Sequence, residues 1–382
     1  MTDLLRQEIA TAGTIVVKMG TRVLTGPDGR LDHEQIARLT EQLNRLMTAG
    51  RKVVLVSSGA VGAGIGRLGL AGRPNDLAQL QAVAAVGQSV LVEAYERSLE
   101  THGYHAAQVL LTAEDLDHRT RYLNARNTLL ALLELSTVPI INENDTVAVD
   151  ELQTTFGDND RLAAIVTNLI QAPLLVLLSD VEGLYDGDPN SPDSKIIPLV
   201  KRLDQSILDL ARDRAGGMGT GGMTSKLEAA RLVTAGGENV IIAGGHVPNV
   251  LTRIIDGEPL GTLFLAQGQA IAARKRWIGL TVQPRGRLVV DSGAQRAVEQ
   301  GGRSLLPIGV VTAEGEFGKG DILSVHDADG NEFARGLTNY SAETIRRIKG
   351  LRTDQIVQVL GKFPYDEVIH RDNIVVTRGG ES

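Results

Sequence analysis

The chain reads as an α/β protein, with a mostly parallel sheet covered on both faces by helices and a second, smaller β-rich domain behind it. Three observations point there. Apolar, β-rich runs alternate with amphipathic helical segments over most of the chain. Those runs are apolar throughout instead of alternating, the pattern of strands buried on both faces. After about residue 266 the pattern changes to a polar, basic link, AQGQAIAARKRW, followed by short β-like runs.

Taken in order, Thr14–Lys18, Val53–Ser57, Ala107–Leu111, Val138–Asn142, Leu174–Ser179, Asn239–Ala243 and Thr262–Leu265 are expected strands. Ile36, Leu39, Leu43 and Leu46 follow helical spacing behind Asp32, and Leu80, Val83, Val90 and Leu91 mark another long helix. In the tail, Arg287–Val290, Gly309–Thr312 and Ile322–Val325 are expected strands, which sets a domain boundary near residue 280.

Composition narrows the function. A chain of 382 residues exceeds one ordinary core, since single cores stop growing near roughly 250–300 residues. Apolar residues at 42% and charged residues at 22% are ordinary for a globular protein. Zero cysteines exclude disulfides, thiolate metal sites and cysteine nucleophiles, and suit a reducing compartment. The N-terminus, MTDLLRQEIATAG, has no signal-like apolar run, and the apolar stretch near Leu174–Leu178 is far below membrane-spanning length, so a soluble, untargeted protein is expected. A net charge of −7 opposes non-specific binding to nucleic acid or anionic lipid, so an anionic substrate must meet a locally positive pocket.

Ligands in parallel α/β sheets bind beyond the carboxyl ends of the strands, and the chemistry-bearing residues of this chain gather there. TIVVKMGTRVL ends a buried strand in Lys18 and Gly20, an ammonium beside an open backbone. A lone strand-end lysine more often just reaches solvent. VVLVSSGAVGAGIGRLG runs from a strand into Ser57, Ser58, Gly59 and Ala60, suited to a substrate carboxylate near a helix start, or blandly to an N-cap serine. PIINENDTVAVDELQTTFGDNDRLAA delivers Asn142, Asn144, Asp145, Asp158, Asn159 and Asp160, a density that turn chemistry alone explains poorly. Such groups can bind an ammonium group or orient lysines that touch phosphate. VLLSDVEGLYDGDPNSPDSK places Ser179 and Asp180 after another buried strand, ahead of a loop suited to a nucleoside.

GGMGTGGMTSKLEAARLV is a glycine-rich loop entering a helix whose start is marked by Ser225-x-x-Glu228 as a capping box, with Lys226 in the first turn. Backbone amides, a helix N-terminus and a lysine together suit di- or triphosphates. It is not a Walker A motif, which argues against the P-loop class. Residues 64–69, GIGRLG, match a dinucleotide fingerprint, but SSGAVGA separates them from the strand they should follow directly, and GMGTGG at 217–222 matches the same pattern by composition alone. A calcium loop fails on spacing.

VVKMGT, SSGA, INENDTVA, FGDND, LLSDVEGLY, GTGGMTSK and the KRW near residue 277 occur in one order, and through them the chain resembles the glutamate 5-kinases of the amino acid kinase family over nearly its whole length. The resemblance implies an αβα sandwich with a mostly parallel sheet at residues 1–270, a linker at 271–284 and a small C-terminal β-barrel, PUA-like, at 285–370. It implies transfer of the ATP γ-phosphoryl group to the side-chain carboxylate of L-glutamate in proline biosynthesis. Lys18, Asp160 and Lys226 would be catalytic. Ser58, Gly59, Ala60, Asn144, Asp145 and Asn159 would bind glutamate. Lys18, Gly20, Ser179, Asp180, Gly219, Thr220, Gly221, Gly222, Met223, Thr224, Ser225 and Lys226 would bind ATP, with Mg²⁺ bridging phosphate oxygens and no protein metal ligand assigned. A cytoplasmic homo-oligomer, dimer or tetramer, is implied, with hand-off of product to glutamyl phosphate reductase and neither a nucleic-acid nor a membrane partner. Met19, Ser57 and Asp186-Gly187 depart from the family's usual Leu, Thr and Thr-Ala.

Rival readings are a sister kinase acting on acetylglutamate, aspartate, carbamate or UMP, a nicotinamide-dependent dehydrogenase, and an RNA-binding protein. The last is opposed by the tail's 13 Lys+Arg against 14 Asp+Glu in residues 281–382, with only Arg346, Arg347 and Lys349 clustered.

Overall fold

In the computed structural model the apolar runs become β1 (Thr14–Met19), β2 (Lys52–Ser57), β3 (His105–Leu111), β4 (Thr137–Glu143), β5 (Leu174–Ser179), β7 (Asn239–Gly244) and β8 (Thr262–Phe264), joined by a two-residue β6 (Leu199–Val200). The structure describes residues 2–148, 158–189, 191–212, 221–267, 275, 278–279, 282–361 and 365–377. It divides into two units, Met1–Ala270 and Ile271–Ser382.

The first unit holds one sheet in the order β3-β4-β2-β1-β5-β7-β8-β6. From β3 to β7 every pairing is parallel, while β8 runs antiparallel to β7. β1 and β5 are buried on both faces and apolar apart from Thr14, Lys18 and Ser179, which is why they occupy the centre. Each expected strand is present within about two residues of its expected ends. β6 escaped the sequence because two residues carry no periodicity.

Helices His33–Thr48 and Leu77–Glu100 cover one layer, the first capped by Asp32 and the second by Asp76, each accepting a hydrogen bond from the amide three residues on. Helix Leu77–Glu100 is long and apolar enough by composition to cross a membrane. Here Leu91, Tyr95 and Leu99 are fully buried in the core. It crosses helix Ala60–Leu68 so closely that a Cβ on Gly64 would lie 2.0 Å from the Val83 carbonyl oxygen, and one on Gly87 1.8 Å from that of Ala60. Gly64 of GIGRLG therefore serves helix packing and Gly69 the left-handed C-cap, not a dinucleotide turn.

The helix expected to start at Ser225 runs from Gly221 to Ala235. Ser225 is internal to it and Lys226 lies in its second turn. The capping-box spacing is coincidental, because the Ser225 hydroxyl donates to Asp160 at 2.9 Å and Glu228 is exposed.

The second unit contains β9 (Gly286–Val290), β10 (Val310–Glu314), β11 (Ile322–His326), β12 (Glu332–Leu337) and β13 (Ile374–Val376), ordered β10-β9-β11-β12-β13. β9 pairs with β11 in parallel and the remaining pairs are antiparallel. Leu288, Leu323, Phe333, Ile345 and Val368 form its core. The basic cluster considered for RNA is tied down within the unit. Arg346 pairs with Glu316 at 3.0 Å, and Arg347 and Lys349 donate to the carbonyls of Val359 and Val311.

Candidate active site

Parallel pairing of β2, β1 and β5 brings their carboxyl ends to one rim, and β4 ends there beside β2. Backbone bonds tie the following residues together: Ser58 donates to Met19 at 3.2 Å, Gly20 to Leu178 at 3.2 Å and Gly245 to Ser179 at 2.7 Å. Side chains from segments far apart in sequence meet on this rim.

At its centre Asp160, 2% exposed in the first turn of helix Asp158–Ile170, takes two ammonium groups. Lys18 Nζ lies 2.7 Å from Oδ1 and Lys226 Nζ 3.1 Å from Oδ2. Ser225 also donates to Oδ2, and Lys226 reaches the Gly222 carbonyl at 3.1 Å. Burial opposes ionisation of Asp160, but the two lysines outweigh it and hold the pKa down to about 2. Burial also lowers the pKa of Lys226 below that of an ordinary lysine, with Asp160 opposing and Lys18 adding to the shift. Two cations on one anion leave a buried net positive charge, which an anionic ligand would neutralise.

Glycines keep that charge open. A Cβ on Gly20 would lie 3.3 Å from the Leu178 carbonyl oxygen and 3.7 Å from Lys18 Nζ, and one on Gly222 3.8 Å from Lys226 Nζ. Such a glycine-lined cationic cradle fits phosphate oxygens. Among the described residues no group of three or more His, Asp or Glu side chains forms a metal cage. The donor set thus fits a magnesium ion that arrives on a triphosphate better than one held by protein carboxylates.

Beside the cradle runs a buried polar string. The Asn159 amide donates to Ser58 Oγ at 3.1 Å and to Asn142 Oδ1 at 3.0 Å, and Asn142 Nδ2 donates to Gln88 Oε1 at 2.9 Å. Gly59, at φ 104° in the left-handed region, turns the chain from β2 into helix Ala60–Leu68. Ser58 makes no capping bond to that helix, so the bland reading of it as an N-cap does not hold. On the other flank Ser179 donates to Asp180 at 3.0 Å, and Asp180 pairs with Arg22 at 2.8 Å.

The expected residues are thus largely gathered. Lys18, Asp160, Lys226 and Ser225 form the cradle, with Gly20, Gly221, Gly222, Met223 and Thr224 on the segments that carry it. Ser58, Gly59, Ala60 and Asn159 stand at the string, and Ser179 and Asp180 on the opposite flank. Asp145 is buried just beyond β4. Asn144 is half-buried just beyond β4, its side chain accepting from Thr146 and its carbonyl from Val147 and Ala148. Gly219 and Thr220 lie outside the described residues. Sequence reasoning missed Gln88 and Arg22, and assigned no role to Asn142. Gln88 carried a signal, a glutamine on the apolar stripe of its helix between Ala84 and Leu91.

The amino acid kinase family model matches residues 13–244, and that of the PUA domain residues 286–360. The chain belongs to the amino acid kinase family. Within that family its relatives include a glutamate 5-kinase from Rhodopirellula baltica, 48% identical over 97% of this chain and 95% of that one. A glutamate 5-kinase from Thioalkalivibrio sulfidiphilus is 48% identical over 97% of this chain and 99% of its own length. Among solved structures, carbamate kinase from Giardia lamblia bound to AMP-PNP is 17% identical, with a TM-score of 0.49 over 67% of this chain and 99% of that one.

Proposed function

We propose that the chain transfers the γ-phosphoryl group of ATP to the side-chain carboxylate of L-glutamate, giving L-glutamyl 5-phosphate and ADP in the first step of proline biosynthesis. The observation that carries this reading is the pair of lysines locked onto opposite oxygens of Asp160. A carboxylate approaching a triphosphate is repelled, and phosphoryl transfer is limited by that charge and by positioning. Lys18 and Lys226 offset the charge on the transferring group, while Asp160 keeps both ammonium groups aimed and charged. A glutamate carboxylate oxygen bonds to the γ-phosphorus as the bond to the β,γ-bridging oxygen breaks, so no covalent enzyme intermediate is needed. A magnesium ion on the phosphates supplies further neutralisation.

Ser58, Asn159 and Asp145 hold the amino acid in this reading, with Gly59 and Ala60 shaping the turn. Ser179, Asp180 and the segment from Gly219 to Lys226 hold the nucleotide. We place the kinase domain at 1–270, a linker at 271–284 and the PUA-like domain at 285–370. The product is a mixed anhydride that water destroys, which favours hand-off to glutamyl phosphate reductase, and we assign the chain to the cytoplasm as a homo-oligomer.

The test is ADP release from MgATP with glutamate, acetylglutamate, aspartate, carbamate and UMP compared, beside a Lys226→Ala control. Glutamate-dependent turnover lost in the control is expected. Turnover with another acceptor instead would overturn the substrate and keep the kinase.

A further inference from the structure

Gln88 belongs to none of the segments that carry phosphate or strand-end chemistry, yet it terminates the string that ends at Ser58. It is 8% exposed, and its Oε1 accepts from Asn142 Nδ2 at 2.9 Å. An amide whose nitrogen is engaged cannot turn over, so Asn142 must present its oxygen to Asn159. Asn159 then spends both amide hydrogens, one on Asn142 and one on Ser58 Oγ. Ser58, already an acceptor, keeps its own hydroxyl hydrogen for another partner, and among the described residues nothing takes it. The string therefore presets a serine hydroxyl as a donor, the role an anionic acceptor substrate requires.

The mount is rigid. Gly87, adjacent to Gln88, is where helix Leu77–Glu100 presses against helix Ala60–Leu68 without room for a Cβ. Seven residues on, across the same stripe, Tyr95 bonds Ser57 at 2.9 Å, so one helix face delivers one polar tip to the end of β2 and another to the end of β4. The Gln88 Nε2 atom is buried without a hydrogen-bond partner, so only the oxygen of this amide is used by the protein.

We propose that Gln88 is a positioning residue of the acceptor subsite, acting through Asn142 and Asn159 to hold the Ser58 hydroxyl as a donor to the amino-acid substrate. This rests on the acceptor-pocket reading of Ser58 and Asn159 given above.

The experiment is steady-state kinetics on the full chain with MgATP and glutamate, together with thermal unfolding. Gln88→Met, which keeps the length and loses the acceptor, should raise KM for glutamate by about tenfold while KM for ATP and kcat stay within about twofold. Gln88→Glu restores an acceptor and should recover most of the glutamate KM. Gln88→Asn, whose acceptor falls short by one methylene, supplies the same comparison should Gln88→Met not fold. A folded Gln88→Met enzyme with unchanged glutamate KM, an equal loss toward both substrates, or a Gln88→Glu variant no better than Gln88→Met would each overturn the proposal. A wild-type chain with no glutamate-dependent turnover would instead overturn the acceptor-pocket reading on which it rests.

Discussion

Lys18 and Lys226 stand on the two oxygens of one carboxylate, at 2.7 and 3.1 Å, with Asp160 all but sealed from solvent between them. Neither lysine can be perturbed without changing the charge balance felt by the other. The arrangement is poised for an anion, because one negative charge does not neutralise two positive ones.

Removing one cation tests that poise. Lys226→Ala should lower kcat by about 10²–10³, the loss seen when one donor to a developing anion is deleted. KM for glutamate should change far less, since the string at Ser58 is left intact. Initial rates of ADP release against both substrates separate the two constants.

Removing the anion is worse for the fold. Asp160→Asn leaves two ammonium groups facing each other in a buried site, which should cost on the order of 3 kcal/mol in urea unfolding as well as most of the activity. A variant that kept wild-type stability would show that water already screens the lysines.

Acid titration follows from the same triad. The Asp160 pKa is held at about 2 in the fold against 3.8 for an ordinary aspartate. A depressed carboxylate contributes stability that is present above its unfolded value and lost as pH falls through the folded one. The unfolding-midpoint advantage of wild type over Asp160→Asn should therefore shrink as pH drops from about 4 toward 2. On the alkaline side, the lowered pKa of Lys226 should make activity fall earlier than an ordinary lysine would, and Lys226→Arg should move that limb upward.

The glycines of GIGRLG separate packing from propensity. Gly64→Ala forces a methyl to within 2.0 Å of the Val83 carbonyl oxygen and should destabilise by about 2–3 kcal/mol. Gly66→Ala meets nothing closer than 3.7 Å, on the exposed side of the same helix, and should gain about 0.5–1 kcal/mol. Urea unfolding of the two variants reads both signs.

Much of this was legible in the residues because it is local. The apolar runs at Leu174–Ser179 and Asn239–Ala243 became β5 unchanged and β7 with one residue added, since burial on both faces writes itself into every residue of a strand. Lys18, Ser58 and Ser179, which the structure gathers on one rim, are singled out by one rule, that ligands gather beyond strand ends. Ser225 shows where local rules fail. Its spacing to Glu228 satisfied a capping box, but a hydrogen bond to Asp160 was available, and the helix began four residues earlier. Asn144 accepts from Thr146 in a turn at its strand end, a use that its residue type signals as readily as it signals a ligand.

By itself the sequence determined most of the strands, their order, the parallel sheet and most of the side chains delivered to its carboxyl rim, because periodicity and strand direction are properties of contiguous residues. Only the tertiary structure decided that Lys18 and Lys226 share Asp160, that Asn142 and not Asn144 joins Asn159, and that Gln88 from a neighbouring helix ends the string. Those relationships are contacts of about three ångströms between segments far apart in the chain. Their consequences for charge depend on burial, which no single segment encodes.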